Sequence, residues 1–469
     1  MEKDIKSFAE FEYRERLFDR TYLGVPYWQA LRFVVCEGAL SDRLIHDNKV
    51  YKNKNFVQRN SLILKNFFLF FKSIGKQYNF DETELICFTH NKIKDKFFDY
   101  WKMPAQIKST RIRTSFDPKD ISTNEYNLLL IYFQANIKFR LKRKLNINKK
   151  DQNELRFLRN LEKKIKLNFG QSITAEEMEQ YIYHYIEIYR VSEKYFEKLF
   201  NKTKCKAILV VCYYQEVLYA AYDVAKRKNI LIMELQHGVI NNHEEYWFED
   251  LRGNNNLTPD YLLAFGKKHI EWTQLLPTTK AVSIGFPYQC FKIKELEYLS
   301  TEEKTVIIYP VAKKEFEIII NEFVSLAVPK GYRIIVKLHP NEVDGMKSRY
   351  PILSENSDIE FITRQSEGIY YWLKLGRHHV MASTTVGLEA VAFNHTNICI
   401  AENVPHEQTQ PLMDWGIARG FSSANELMNL IQYPISTEYS EVRKALWENN
   451  AEKNIQKFLM DLRSNNWRR

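Results

Sequence analysis

From residue 207 onward, apolar runs of four to six residues alternate with stretches that carry apolar residues at helical spacing, and no other feature constrains the fold as much. Ala207–Cys212 (AILVVC) reads as a buried strand, Glu216–Lys228 as a helix, and Ile230–Leu235 (ILIMEL) as the next strand, closing at Gln236-His237-Gly238. Such a β-α-β succession makes its two strands parallel. Tyr261–Phe265 and Ala281–Ile284 are two further short strands, each followed by a glycine, Gly266 and Gly285. Beyond the polar stretch 292–304 a second series begins. Its strands are Thr305–Tyr309, Arg333–Leu338, Ile359–Ile362, His379–Ala382 and Asn397–Ile400, with helices at 314–327, 366–375 and 384–393. Helices at 424–431 and 438–462 close the chain. Two such series predict an α/β chain of two doubly wound, Rossmann-type domains facing across a cleft, divided into residues 1–290 and 291–469.

The first 200 residues are less regular. Residues 1–60 read as helices and loops around the apolar patch Gly24–Trp28. The apolar stretch Ser61–Lys72 is too short to span a bilayer and is either an interfacial helix, with Lys65, Lys72 and Lys76 near lipid headgroups, or a core helix of the first domain. Glu84–Thr89 and Tyr126–Tyr132 (YNLLLIY) read as strands. A long amphipathic helix over 173–200 is announced by Thr174 and Glu177, spaced as a capping box. Residues 51–150 carry 21 Lys and Arg against 8 Asp and Glu, so the formal charge of +10 is concentrated there, with the cluster Lys138–Lys150 at its end. A basic face of that kind suits an anionic membrane, an acidic polymer or nucleic acid, and a merely Lys-rich surface has the same composition.

With 45% apolar and 27% charged residues the chain is an ordinary globular protein, long enough for two or three domains. Six cysteines stand singly, with no C-x-x-C pair, which disfavours a disulfide scaffold or a cysteine-rich zinc site. The opening MEKDIKSFAEFEYRER has no signal-peptide pattern, so a cytoplasmic protein is expected.

Ligands of open α/β sheets bind outside the carboxyl ends of the strands. Those ends carry Gln236-His237-Gly238, His339-Pro340, Ser383-Thr384-Thr385, Gly266, Gly285-Phe286-Pro287 and Thr363-Arg364. The run Ser383–Ala390 reads as a strand-to-helix turn, with Thr384 and Thr385 in the first helical turn and Ser383 at or next to the cap; such a start suits a phosphate or serves only as a cap. Glu389, one turn on, can accept from ribose hydroxyls or pair with a surface lysine. His237 is placed to act as a general base near neutral pH, or to bond a backbone carbonyl. In His339-Pro340 the proline fixes the turn, so the imidazole can donate to a phosphate oxygen, reaching it from an adjacent strand end. No D-x-D, G-x-x-x-x-G-K-[ST], G-x-G-x-x-G, G-x-S-x-G or H-E-x-x-H is present. P-loop NTPases, dinucleotide enzymes, α/β-hydrolases and zincin proteases are therefore unsupported, and no metal or other cofactor is expected.

On the segments AILVVCYYQEVLYAAYDVAKRKNILIMELQHG, YLLAFG, VSIGFP, RIIVKLHP and ASTTVGLEAVAFNHTNICI, spanning about residues 205–400, the sequence resembles the GT-B superfamily of bacterial surface-polysaccharide enzymes. Its Gln-His-Gly and Lys-Leu-His-Pro elements are similar to those of CDP-glycerol glycerophosphotransferases. The His-Pro element and the Ser/Thr turn are similar to those of bacterial polysialyltransferases and capsule Kdo transferases. Two departures stand out: the acidic D/E-D/E-G motif of the polysialyltransferases is absent, and Gln236 stands where the glycerophosphotransferases usually carry Thr. The resemblance implies an acceptor side in 1–290 and a nucleotide-donor side in 291–469. It implies that His237 activates the acceptor, that His339 meets the donor phosphate, and that Ser383, Thr384 and Thr385 hold that phosphate. Glu389, Gly266, Gly285 and Arg364 are the remaining donor-side candidates. The expected activity is metal-independent transfer of a sugar from a nucleotide donor, a CMP-sugar first, to a capsule, O-antigen or related glycan. A CDP-polyol phosphotransferase of teichoic-acid type, a UDP-sugar 2-epimerase-like isomerase and a non-catalytic glycan-binding protein are the alternatives. The expected partners are the donor, a glycan or lipid-linked acceptor and the inner face of an anionic membrane, with no nucleic acid.

Overall fold

The computed structural model describes residues 5–40, 81–89, 98–113, 128–145, 151–170, 173–240, 247–248, 257–339, 342–363, 367–393, 396–405, 409–434 and 440–468. The 61–72 stretch, Ser172, Pro340 and Arg364 lie outside them, as do residues 146–150 of the basic cluster. The chain forms two compact units: residues 1–264, 269–284 and 452–469 make the first, and residues 265–268 and 285–451 the second.

The first unit is built on six parallel strands, β1 (Leu85–Thr89), β2 (Ser109–Arg113), β3 (Ala207–Val211), β4 (Leu231–Leu235), β5 (Tyr261–Ala264) and β6 (Lys280–Ser283). Their spatial order is β2-β1-β3-β4-β5-β6, a doubly wound order that reverses between β1 and β3. β1, β3, β4 and β5 are buried along their whole length, as strands covered on both faces must be, which is why they read as continuous apolar runs. Around this sheet pack α1 (Ile5–Arg14), α2 (Trp28–Leu40), α3 (Leu129–Lys144), α4 (Gln152–Phe169), α5 (Ala175–Thr203) and α6 (Glu216–Arg227). The capping box at α5 is present: the Thr174 hydroxyl accepts from Glu177 N, and Glu177 accepts from Thr174 N.

The patch Gly24–Trp28 is core. A two-residue hairpin turns at Leu23 and Gly24, both with positive φ (52° and 78°), and delivers Tyr27 and Trp28 to the interior. Beneath them Glu12 accepts from Trp28 Nε1 at 2.8 Å and from Arg32 Nε at 2.7 Å, an ion pair fully withdrawn from water. Over its described residues, 128–132, the segment expected as the strand Tyr126–Tyr132 is not a strand. From Leu129 it is the start of the 16-residue α3, whose Asn136 Oδ1 accepts from His184 Nε2 of α5 at 2.8 Å and whose Lys142 pairs with Glu187 at 2.5 Å. The unbroken apolar run Leu128–Phe133 carries no periodicity of its own, and the helix is decided by the stretch Gln134–Lys144, where no Gly or Pro intervenes.

The second unit has β7 (Glu302–Ile308), β8 (Arg333–Lys337), β9 (Ile359–Ile362), β10 (Gly376–Met381), β11 (Asn397–Ala401) and β12 (Ala418–Phe421), all parallel. The spatial order is β9-β8-β7-β10-β11-β12, which counted from its own first strand is 3-2-1-4-5-6, the nucleotide-binding doubly wound order. Its helices include α7 (Pro287–Glu295), α8 (Lys314–Ala327), α9 (Ile369–Leu375), α10 (Val386–Ala390), α11 (Ala424–Gln432) and α12 (Ser440–Leu446). Two Rossmann-type units of this kind in one chain, with a helical N-terminal addition, make the fold GT-B-like. The stretch 438–462 is two helices, α12 and α13 (Ala451–Ser464), because Asn450 adopts a left-handed φ of 57° between them. Residues 452–469 return to the first unit, where Arg463 Nε reaches Glu84 at 3.1 Å.

Candidate functional site

In the second unit the strand order reverses between β7 and β10, and their carboxyl ends flank the position where such sheets bind ligands. β10 is followed by Ala382 and then by Ser383, Thr384 and Thr385. The first two hydroxyl residues are half-buried and Thr385 is exposed. The helix begins two residues later than the sequence suggests, at Val386: Thr385 is the cap residue of α10, its side chain making no capping bond, and Thr384 Oγ1 accepts from Val386 N at 3.3 Å. Gly387 is the reason this short helix can sit on the strand end. A Cβ there would lie 2.9 Å from Met381 Sδ and Leu412 Cδ1. The Thr409 hydroxyl then donates to Ala382 O at 2.6 Å and fixes the start of the turn.

Glu389, half-buried one turn on, lies within electrostatic reach of two buried tyrosines, Tyr309 at the end of β7 and Tyr370 in α9. Burial first, and the Glu389 charge second, push both phenols well above their usual pKa, so both stay protonated donors. The Tyr309 ring lies nearly parallel to His379, and the two groups are 3.1 Å apart at Tyr309 Oη and His379 Nδ1. His379 Nε2 faces Gly376 O at 3.0 Å; a carbonyl only accepts, so Nε2 carries the proton and Nδ1 accepts from Tyr309. His378 repeats this logic against Glu303 O and Asn397 Nδ2, and burial lowers its pKa to about 4. Both are structural histidines of β10.

His339 is exposed after β8. Its backbone N donates to Glu342 Oε2 at 3.1 Å, and Tyr350 Oη donates to Glu342 Oε1 at 3.0 Å, so Glu342 ties the loop. β7 separates β8 from β10, so His339 does not come from the strand next to the hydroxyl turn. It lies about 10 Å across the sheet, two strand spacings away. Lys337, the last residue of β8, is buried; its ammonium donates to Leu338 O at 3.0 Å, and desolvation lowers its pKa.

Gly266 and Gly285 have another reason to be glycine. A Cβ on Gly266 would lie 2.3 Å from Leu446 O, and one on Gly285, whose φ is 90°, would lie 2.3 Å from Glu448 O. Both lie against the backbone leaving α12, within the second unit, and this close approach accounts for the residue type without a ligand.

In the first unit His237 follows β4 and is half-buried. Its Nε2 lies 3.0 Å from Tyr214 Oη, with the two rings edge to face at 5.5 Å. Tyr214 follows β3, on the strand beside which this sheet reverses. It is placed by a turn in which Cys212 has a φ of 60°, Tyr213 N donates to buried Glu234 at 3.1 Å, and Tyr222 Oη donates to Tyr213 O at 2.9 Å. Buried Gln236 donates to Gly238 O at 2.7 Å and bonds His269 Nδ1 at 2.9 Å, which holds the loop carrying His237. Burial drives the His269 pKa down to about 3, so His269 is a neutral acceptor. Tyr214, His269, Tyr309 and Tyr370 were not among the residues nominated from sequence. For the first and third the available signal was a tyrosine just past a strand end.

Among the described residues no three His, Cys, Asp or Glu side chains group as a metal site would need, and no helix is long and apolar enough to cross a membrane. No family model matches the chain, and no curated protein sequence matches it significantly. Solved structures do. The UDP-GlcNAc 2-epimerase of Neisseria meningitidis bound to UDP-GlcNAc is similar at 14% identity and a TM-score of 0.49, over 81% of this chain and 100% of that one. The UDP-GlcNAc 2-epimerase of Methanocaldococcus jannaschii is similar at 11% identity and a TM-score of 0.48, over 81% and 99%. The wall teichoic acid polymerase TagF is similar at 10% identity and a TM-score of 0.42, over 89% and 98%.

Proposed function

We propose that the chain is a metal-independent glycosyltransferase that moves a sugar from a nucleotide-activated donor to a cell-surface glycan. The observation that carries this reading is the hydroxyl turn Ser383–Thr385 at the strand reversal of a 3-2-1-4-5-6 sheet, with Glu389 one helical turn beyond it. The second unit is the donor side. Ser383 and Thr384 bond the donor phosphate, Thr385 presents the exposed start of α10 to it, and Glu389 receives ribose hydroxyls. His339, on its tied loop, offsets charge on the leaving phosphate. The first unit is the acceptor side, where His237 takes the proton of the attacking hydroxyl. Because its Nε2 is already engaged by Tyr214, the acceptor hydroxyl either displaces the phenol or passes its proton along it. The donor we favour is a CMP-sugar, the acceptor a capsule, O-antigen or teichoic-type glycan, and the place of work the cytoplasmic face of the membrane.

The deciding experiment is a donor-turnover assay of the purified chain with CMP-, CDP- and UDP-linked compounds. Release of CMP from a CMP-sugar, stimulated by a glycan acceptor, is the expected result. Turnover of a CDP-polyol alone makes it a phosphotransferase. Conversion of a UDP-sugar without nucleotide release makes it an isomerase, and inertness toward all three removes the enzyme reading.

A further inference from the structure

The basic cluster that begins at Lys138 has no part in the donor or acceptor chemistry. It opens at the carboxyl end of α3, in the first unit, and that helix contains no Asp or Glu. One face of α3 is core: Ile131 and Ala135 are buried, Phe139 meets His184 edge to face at 5.2 Å, and Lys142 pairs with Glu187. The other face is exposed at Lys138, Arg140 and Lys144, and none of the three is in an ion pair among the described residues. Between these cations two leucines stand in water, Leu141 at 53% and Leu145 at 63% exposure. Leu145 N donates to Leu141 O at 2.9 Å, so the helical turn runs through both and their side chains lie one above the other.

At roughly 100° of rotation per residue the leucines fall between Lys138 on one side and Arg140 and Lys144 on the other. The helix macrodipole accounts for cations in the last turn, where the free carbonyls carry negative charge. It gives no reason for the leucines, which leave apolar surface in water. Single exposed apolar side chains are commonplace, but two stacked leucines flanked by cations, on a helix without a carboxylate, match one kind of surface. A nucleic acid or an acidic polymer meets the cations and stacks on aromatic rings, and gains nothing from aliphatic side chains. The headgroup layer of an anionic bilayer takes both: its phosphates meet Lys and Arg, and its boundary with the acyl chains takes the leucines.

We propose that the carboxyl end of α3, with Leu141 and Leu145 set among Lys138, Arg140 and Lys144, is the surface by which the first unit docks on an anionic lipid bilayer. The leucines enter the boundary between headgroups and acyl chains, and the three cations lie at the level of the phosphates, their alkyl stems spanning the difference in depth. The inference rests on the proposed function only for the membrane as place of work. Vesicle binding is read without turnover, so its failure removes that docking surface and leaves the transfer chemistry standing.

The test is co-sedimentation of the full chain with vesicles of phosphatidylcholine alone and of equal parts phosphatidylcholine and phosphatidylglycerol. The wild type should bind the anionic vesicles about 100-fold more tightly than the neutral ones, and salt should release it. Lys138→Gln with Arg140→Gln and Lys144→Gln should remove most of that factor. Leu141→Ser with Leu145→Ser should weaken binding to the anionic vesicles by about tenfold or more. Arg156→Gln with Arg159→Gln and Lys163→Gln, which removes the same charge from the exposed residues of α4, should cost less than about threefold. All the substituted side chains are exposed, so melting temperatures should match the wild type. If the α3 charge variant fails to fold, the leucine variant decides alone. A wild type that ignores anionic vesicles, or binds neutral ones as well, overturns the proposal. So does an α4 variant that loses as much as the α3 charge variant. Loss on removing the charges with none on removing the leucines also overturns it, and assigns the patch to an acidic polymer.

Discussion

The two units carry their polar strand-end groups in opposite conditions. In the first, the histidine loop is already bonded: His237 to Tyr214, Gln236 to Gly238 and His269, and the turn before Tyr214 to Glu234. In the second, protein bonds lie behind and below the surface, on Thr409, Glu342 and the His379–Tyr309 pair, while Thr385 and His339 are exposed. On the proposed reading, the first arrangement fixes a proton-transfer group in place before a substrate arrives. On the same reading, the second fixes a frame whose outer groups meet a ligand. A proton-transfer residue needs the former and a phosphate cradle the latter, so the contrast predicts separate consequences for mutation in the two units.

The largest effect is expected in the first unit. His237→Ala should lower turnover about 100-fold or more with the melting temperature nearly unchanged, as for loss of a general base. Near wild-type turnover of that variant would make His237 a structural residue and erase the contrast. Acid should strike both units through histidines that have no part in catalysis. His269 in the first unit and His378 in the second have folded pKa values lowered to about 3 and about 4. Both unfolded side chains bind a proton near the ordinary histidine value of about 6.5, so stability is fully present above that value and lost as pH falls below it. Between pH 7 and pH 5 each should cost its unit about 2 kcal/mol. Chemical denaturation of the wild type and of His269→Gln at both pH values measures the first share, which should shrink in the variant.

In the second unit, Ser383→Ala with Thr384→Ala should weaken nucleotide product binding roughly tenfold and leave stability within about 0.5 kcal/mol. Unchanged affinity on titration would make the turn a helix start and nothing more. The smallest effect sharpens the first-unit side. Tyr214→Phe should slow turnover by less than about tenfold and move the acid limb of its pH–rate profile, because the phenol tunes His237 rather than replacing it. An identical profile would mean that the 3.0 Å contact is broken when substrate binds.

Legibility followed burial. The interior strands β3, β4, β8 and β11, the buried half of β7 and helix α8 were visible because parallel strands are apolar where both faces are covered, and α8 was bounded to the residue. The edge strands β2 (STRIR) and β12 (ARGF) were not. Their charged residues hide the strand pattern, whereas β6 and β9, edge strands as well, keep apolar residues and could be read. The site divides in the same way. His237, His339 and the Ser383–Thr385 turn follow strands that could be found, and so they could be nominated. Tyr370 could not, since α9 stands apart from the hydroxyl turn in sequence and the residue belongs to no local pattern. Gly266 and Gly285 were noticed for their position, but what determines them is a backbone some 160 to 180 residues further along the chain.

That late backbone has a consequence for how the chain is made. Residues 452–469 belong to the first unit although all but four residues of the second are synthesised between its earlier segments and them. A ribosome therefore releases the final piece of the first unit only after the whole of the second has been translated. Order of synthesis and order of completion are reversed, and a chain stopped at residue 451 would be damaged in the half that was made first.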